Sequence, residues 1–181
     1  MNRVPLIDRQ ATTPERAALL APIHAAFGGV PHMFRAVANS PAALKSMWGS
    51  FGALGGGTLD AALGEQIAVA VADRNACHYC LAAHTALGRK AGLSSEQLLA
   101  AQGGESSDMR SQAALHFALQ LVDRRGQLGE SDVQALRLAG FDDEGIVEIV
   151  AHVALNLFTN YLNNALAVPV DFPATALRRA A

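Results

Sequence analysis

Charged residues are scarce in this chain: Asp, Glu, Lys and Arg make up 17% of its 181 residues, against about 25% in ordinary soluble domains. A domain so poor in charge lacks the polar material to cover every outward face. That predicts apolar surface buried between copies of the chain, as in a homo-oligomer. Clustered base is lacking too. The net charge is −2, and the basic pairs Arg89-Lys90, Arg124-Arg125 and Arg178-Arg179 are scattered. Nucleic acid is therefore not an expected partner, because neutralising phosphates takes grouped Lys and Arg. No segment reaches the roughly 18 uninterrupted apolar residues of a membrane helix, so no membrane is expected either. The opening stretch Met1-Asn2-Arg3-Val4-Pro5-Leu6-Ile7-Asp8 lacks the apolar run of a secretory signal, which makes the reducing cytoplasm the expected compartment. Cysteine occurs only twice, at 77 and 80. A disulfide-stapled scaffold is thereby excluded, and a close pair in a reducing compartment points to redox or metal chemistry.

Sustained period-two alternation is also missing, so no strands are predicted. The expected fold is all-α, a single compact multi-helix domain over residues 1–181. Thr12-Thr13-Pro14-Glu15 reads as a helix start and Gly28-Gly29 as its stop. Pro31 opens a short helical turn through Val37, and Ser40-Pro41 starts a helix that Gly55-Gly56-Gly57 ends. Thr58 is expected to cap the next helix, which carries Glu65. After Asp73-Arg74-Asn75 a helix holding both cysteines is expected to run to Gly92. Ser94 and Gln97 form a capping box, and Gly103-Gly104 closes that helix. Further helices are predicted over about Asp108–Arg125, Asp132–Ala139 and Asp143–Ala167, with 168–181 a non-helical tail marked by Pro169 and Pro173. The corners Ala91-Gly92-Leu93-Ser94 and Ala139-Gly140-Phe141-Asp142 read as the same chemistry used twice: a glycine stop, an apolar staple residue and a new cap.

Cys77, Cys80 and His84 share one helical face, since i+3, i+4 and i+7 positions are neighbours. Cysteines three apart on a helix can open and close a disulfide, whereas so short a loop contributes little as a structural staple. A catalytic thiol acts as thiolate, and two devices are at hand. Asn75 as helix cap would put Cys77 in the first turn, where the backbone dipole favours negative charge. His84, one turn past Cys80, can take its proton as general base, with Glu65 as the carboxylate orienting it. The alternative is a zinc-binding helical interaction protein using Cys77, Cys80 and His84, with Glu65, His78 or another histidine as the fourth ligand. Against it, no second Cys-x-x-Cys exists.

Glu65, eleven residues, then Cys77-His78-Tyr79-Cys80-Leu81-Ala82-Ala83-His84 resembles the signature of the alkylhydroperoxidase D (AhpD) family within the carboxymuconolactone decarboxylase superfamily. The resemblance extends to Gly29-Val30-Pro31-His32-Met33-Phe34-Arg35, to the Trp48 helix, and to Asn160-Tyr161-Leu162-Asn163 through Asp171-Phe172-Pro173, which look like its peroxidase-related branch. It implies an all-α fold assembled as trimers or hexamers, with residues of about 58–92 as the catalytic core. It also implies reduction of hydroperoxides through a cysteine pair, without a cofactor or metal, regenerated by a dithiol reductant or lipoyl-type partner. Carried over, Cys80 is attacked, Cys77 resolves, His84 is the base and Glu65 its partner. Tyr79 stands where those relatives carry an additional relay histidine. Lactone decarboxylases of the superfamily lack the cysteine pair, so that activity is not expected.

Other polar features take structural readings. Glu148, His152, Asn156, Asn160 and Asn163-Asn164 recur at helical steps and read as a hydrogen-bonded seam. His24, His32 and His116 read as satisfied structural histidines, and Trp48 with Met47 and Phe51 as core or interface. Gly55 to Gly57 is not a phosphate loop, since no Lys-Ser/Thr follows.

Overall fold

The computed structural model describes residues 2–178. Among them run nine helices and no strand: α1 (Pro14–Phe27), α2 (His32–Val37), α3 (Pro41–Leu54), α4 (Ala61–Arg74), α5 (His78–Lys90), α6 (Ser95–Gln102), α7 (Met109–Asp123), α8 (Glu130–Leu138) and α9 (Asp143–Leu166). The fold is all-α, as the sequence predicts. The expected punctuation recurs in the backbone. Thr13 accepts from the Arg16 N–H at the start of α1, and Ser94 with Gln97 forms the capping box of α6. The two similar corners close alike, with Leu93 N–H on the Gly88 carbonyl and Phe141 N–H on the Leu136 carbonyl. The tail from 168 to 178 is non-helical; residues 179–181 of the expected tail, like Met1, lie outside the described residues.

α4 is the centre. Nearly every residue from Gln66 to Asp73 is buried, and the helix packs against α5, α6, α7 and α9. A helix apolar on all faces must be surrounded, and its alanines at 68, 70 and 72 let the neighbours approach closely. α9, about 36 Å long at 1.5 Å per residue, lies across α4, α7, α3 and α5. By length and composition α9 would suit a membrane span, but its inner face packs into the core through Ile146, Ile149 and Val153 and carries buried Asn156, Thr159, Asn160 and Asn163.

Two expected caps are corrected. Asp60, not Thr58, caps α4, its carboxylate accepting from the Leu63 N–H at 2.8 Å. Thr58 is instead held by Glu148: both carboxylate oxygens accept from its N–H, and one also takes its hydroxyl and the Leu59 N–H. A Cβ at Gly57 would sit 2.5 Å from that carboxylate, so a side chain there would push Glu148 off the Thr58 and Leu59 amides. Asn75 ends α4 rather than starting α5, whose N-cap is Cys77. The α4–α5 turn is a Schellman closure, with Cys77 N–H on Ala72 O at 2.9 Å and Ala76 N–H on Asp73 O at 3.0 Å. Its left-handed position, usually glycine, holds Ala76 at φ 49°. An L residue there costs about 1–2 kcal/mol, partly offset by the extra unfolded freedom of glycine. Ala76→Gly is expected to raise the stability of the reduced protein by up to about 1 kcal/mol, read as a higher urea midpoint at unchanged slope.

Candidate active site

The corner between α4 and α5 delivers both sulfurs. Cys77, just outside α5, is fully buried, and its Sγ accepts from the Cys80 N–H at 3.4 Å. Cys80, third residue of α5, is 2% exposed. Cys80, not Cys77, therefore lies within the first turn, where the helix N-terminus favours negative charge. α9 closes over the pair. Asn163 Nδ2 donates to Cys80 Sγ at 3.1 Å, and Thr159 Oγ1 lies 3.9 Å from it. Asn160 accepts from the Asn75 side chain at 3.0 Å, and Asn164 donates to the Asn75 carbonyl at 3.0 Å. The α9 asparagines thus hold the segment that carries the cysteines.

His84, one turn on, pairs through Nδ1 with Glu65 Oε2 at 2.8 Å, both side chains mostly shielded. Gly88 in α5 lets the helices meet: a Cβ there would strike Leu98 and approach Glu65. Among the described residues His84 makes no hydrogen bond to Cys80; the two share a cavity and act on each other through space.

The two thiols are pulled apart electrostatically. The hydrogen bond from the Cys77 thiol lowers Cys80 most; burial opposes, and the His84 charge and the Asn163 amide add to the lowering, giving about 6. Cys77 is pushed far up, first by that same bond to the Cys80 sulfur, then by burial and by the charge on Cys80. The pair titrates as one unit whose first proton leaves Cys80. For His84, burial is the largest influence and pulls it down, but the charge and hydrogen bond of Glu65, with Cys80, carry it above the ordinary imidazole value.

Cys80 and His84 open on a small cavity of about 40 Å³, walled by Phe27, Met33, Phe34, Phe51, Leu87 and Phe172 among others. Tyr79, at the position of the relay histidine, is not free to relay. Its hydroxyl accepts from the Met33 N–H at 3.1 Å, and burial with the nearby Asp171 carboxylate keeps it protonated. The tail forms the remaining wall: Phe172 stacks edge-on against Tyr79, Asp171 accepts from the His32 N–H, and the His32 ring meets the Pro169 carbonyl. A second cavity, about 190 Å³, lies against His84 and Glu65 and includes His152, whose ring fits over Gly64.

The structure brings Cys77, Cys80, His84 and Glu65 together. Thr159 was not singled out in the sequence, and Asn163, read only as part of a seam, touches the sulfur; its i, i+4 relation to Thr159 was the available signal. Of the histidines read as structural, His32 and His116 have partners, while His24 is exposed. Among the described residues no group of three or more His, Cys, Asp or Glu side chains converges to hold a metal ion. The zinc alternative thus finds no ligand set, since Cys77 is turned to the Cys80 amide and His84 to Glu65.

Comparison with known proteins bears on the fold. The model of the carboxymuconolactone decarboxylase family matches residues 41–124. An uncharacterized peroxidase-related protein from Ralstonia eutropha JMP134, described as an AhpD core, superposes with TM-score 0.82 at 27% identity, over 94% of this chain and 92% of that one. A peroxidase-related protein from Silicibacter sp. TM1040 gives TM-score 0.79 at 25% identity, over 96% and 90%. The debrominase Bmp8 shares the fold, with TM-score 0.78 at 20% identity over 93% and 91%. No curated protein sequence matches the chain. Over residues 41–124 the chain is similar to the carboxymuconolactone decarboxylase family, and its fold is that of AhpD-like, peroxidase-related proteins.

The Glu65 charge is what lifts His84 against burial. Glu65→Gln keeps an acceptor but removes that charge, so the His84 imidazole is expected to titrate at lower pH than in the wild type. Histidine NMR titration reads the shift.

Proposed function

We propose that the chain is a thiol-dependent oxidoreductase that reduces organic hydroperoxides through a Cys77–Cys80 dithiol–disulfide cycle. The observation that carries this reading is the opposite perturbation of the two thiols, with the lowered one, Cys80, lining an aromatic cavity. A thiolate is the nucleophile, and at neutral pH a thiol of pKa about 6 is about 90% ionised. The apolar walls favour an organic hydroperoxide, the cavity of about 40 Å³ having room for its peroxide end while the carbon part lies toward the opening.

In the proposed cycle the Cys80 thiolate attacks the terminal oxygen of ROOH. The S–O bond forms as the O–O bond breaks, and the electron pair leaves on the alkoxide, which takes from His84 the proton that His84 had accepted as base from Cys80 and departs as ROH. The sulfenic acid on Cys80 no longer carries the negative charge that kept Cys77 protonated. Cys77 then attacks that sulfur, the hydroxyl leaves with a proton as water, and a disulfide forms. A dithiol, free or lipoyl-type, exchanges with the disulfide, restores both thiols and ends as its own disulfide. Its approach is to Cys80, because Cys77 is sealed. Glu65 keeps His84 oriented and charged. We place assembly with further copies of the chain in the same proposal, because α9 turns Val147, Val150, Phe158 and Tyr161 outward, an apolar face of the kind oligomers cover.

Cys77→Ser is expected to consume one equivalent of an aryl hydroperoxide and to retain a sulfenic acid on Cys80, trapped with dimedone and mapped by mass spectrometry. Cys80→Ser should lose that reaction by at least about 100-fold, the lower end of what a positioned base alone contributes. A sulfenic acid forming on Cys77 in Cys80→Ser at the wild-type rate reverses the assignment.

A further inference from the structure

The two α9 side chains beside Cys80 look equivalent, yet their hydrogen bonds separate them. Thr159 commits its hydroxyl proton to the Asn156 carbonyl at 3.0 Å, so toward Cys80 it turns a lone pair. That arrangement receives an S–H and gives nothing to a thiolate. Asn163 is 3% exposed, has its Nδ2 3.1 Å from Cys80 Sγ, and its Oδ1 is buried with no partner. Its neighbours Asn160 and Asn164 each bond Asn75 and neither bonds the sulfur. We propose that Asn163 is a catalytic residue of this site: its amide N–H is the fixed neutral donor that holds the Cys80 sulfur as thiolate, and Thr159 is not.

The remaining charged or titratable groups around Cys80 are Cys77, Tyr79 and His84 on α5, Glu65 on α4 behind His84, His152 on α9 and Asp171 in the tail. Of these, Cys77 shares the proton already counted, and His84 acts through space and loses its charge as pH rises. The amide does not titrate, so its contribution persists across the pH range. A hydrogen bond to a charged group, lost from a buried site, corresponds to about one to two pH units. The amide orientation is what matters: with Oδ1 toward the sulfur the same residue would favour the thiol.

This rests on Cys80 being the reactive thiol, but its test needs no peroxide. Ultraviolet thiolate titration of the reduced protein is compared for wild type, Asn163→Leu, Asn163→Asp and Thr159→Val. Both Asn163 variants should move the lower inflection up by at least about one unit, Asp more than Leu because it offers no donor and adds charge. Thr159→Val should move it less than half as far. Alkylation of Cys80 in the Asn163 variants should return to within about twofold of wild type well above the shifted inflection, since only the thiolate fraction has changed. An unmoved inflection in Asn163→Leu, an equal shift in Thr159→Val, or an alkylation rate depressed equally at every pH overturns the assignment. The expected shift in the Asn163 variants, together with wild-type protein that consumes no hydroperoxide, would leave the role of Asn163 standing and remove the peroxidase reading.

Discussion

Between Cys77 and Cys80 two buried sulfurs contend for one proton, and the geometry of a single turn decides which keeps it. Had Asn75 begun α5, both cysteines would sit inside the helix, side by side on one face. Because α4 overruns to Asn75 and Ala76 takes a left-handed turn, Cys77 stands just outside α5 with its sulfur against the first helical amides. From there its thiol bonds the Cys80 sulfur, which lowers one pKa and raises the other. Burial alone would raise both. The difference between the two thiols is thus a property of the corner, not of cysteine chemistry.

The rest of the fold can be understood as what keeps that corner in place. α4 supplies the buried axis and, with Glu65, the partner of His84. α9 reaches across the molecule so that its asparagines at 160, 163 and 164 hold Asn75 and Cys80, while Glu148 at its other end fixes the loop before α4. The tail returns to the start of α2 through Asp171 and lays Phe172 over Tyr79. The bond from Asn163 to Cys80 is buried among apolar side chains, where an unmade bond is costly, while those of Glu148 and Asp171 lie nearer the surface. Low overall charge and a well-ordered polar site are therefore compatible, because the polar groups are spent inside.

Much of this was legible in the sequence, and the misses share a cause. The helices follow from glycine stops, prolines at first turns and Ser94-type caps, which are local signals. The Cys-x-x-Cys-x-x-x-His spacing with Glu65 upstream marked the site. What failed was the choice between adjacent capping residues: Thr58 against Asp60, Asn75 against Cys77. Local chemistry permits either; Glu148 on α9, distant in sequence, decides the first, and the left-handed turn at Ala76, which no glycine announces, decides the second. Asn163 was visible only as a polar position on a long helix, because its partner is 83 residues distant. No one-dimensional pattern tells a seam between helices from a group aimed at a sulfur.

The central claim is that one proton is shared unequally between the two thiols. It is tested most directly by pulse alkylation of the fully reduced wild-type protein across pH, with each cysteine quantified by mass spectrometry. The account predicts that modification of Cys80 rises with an inflection at about 6, while Cys77 stays unmodified until pH values far above the ordinary thiol range or until Cys80 is blocked. Cysteines that rise together near the ordinary thiol value of about 8.5, or Cys77 reacting first, would contradict it.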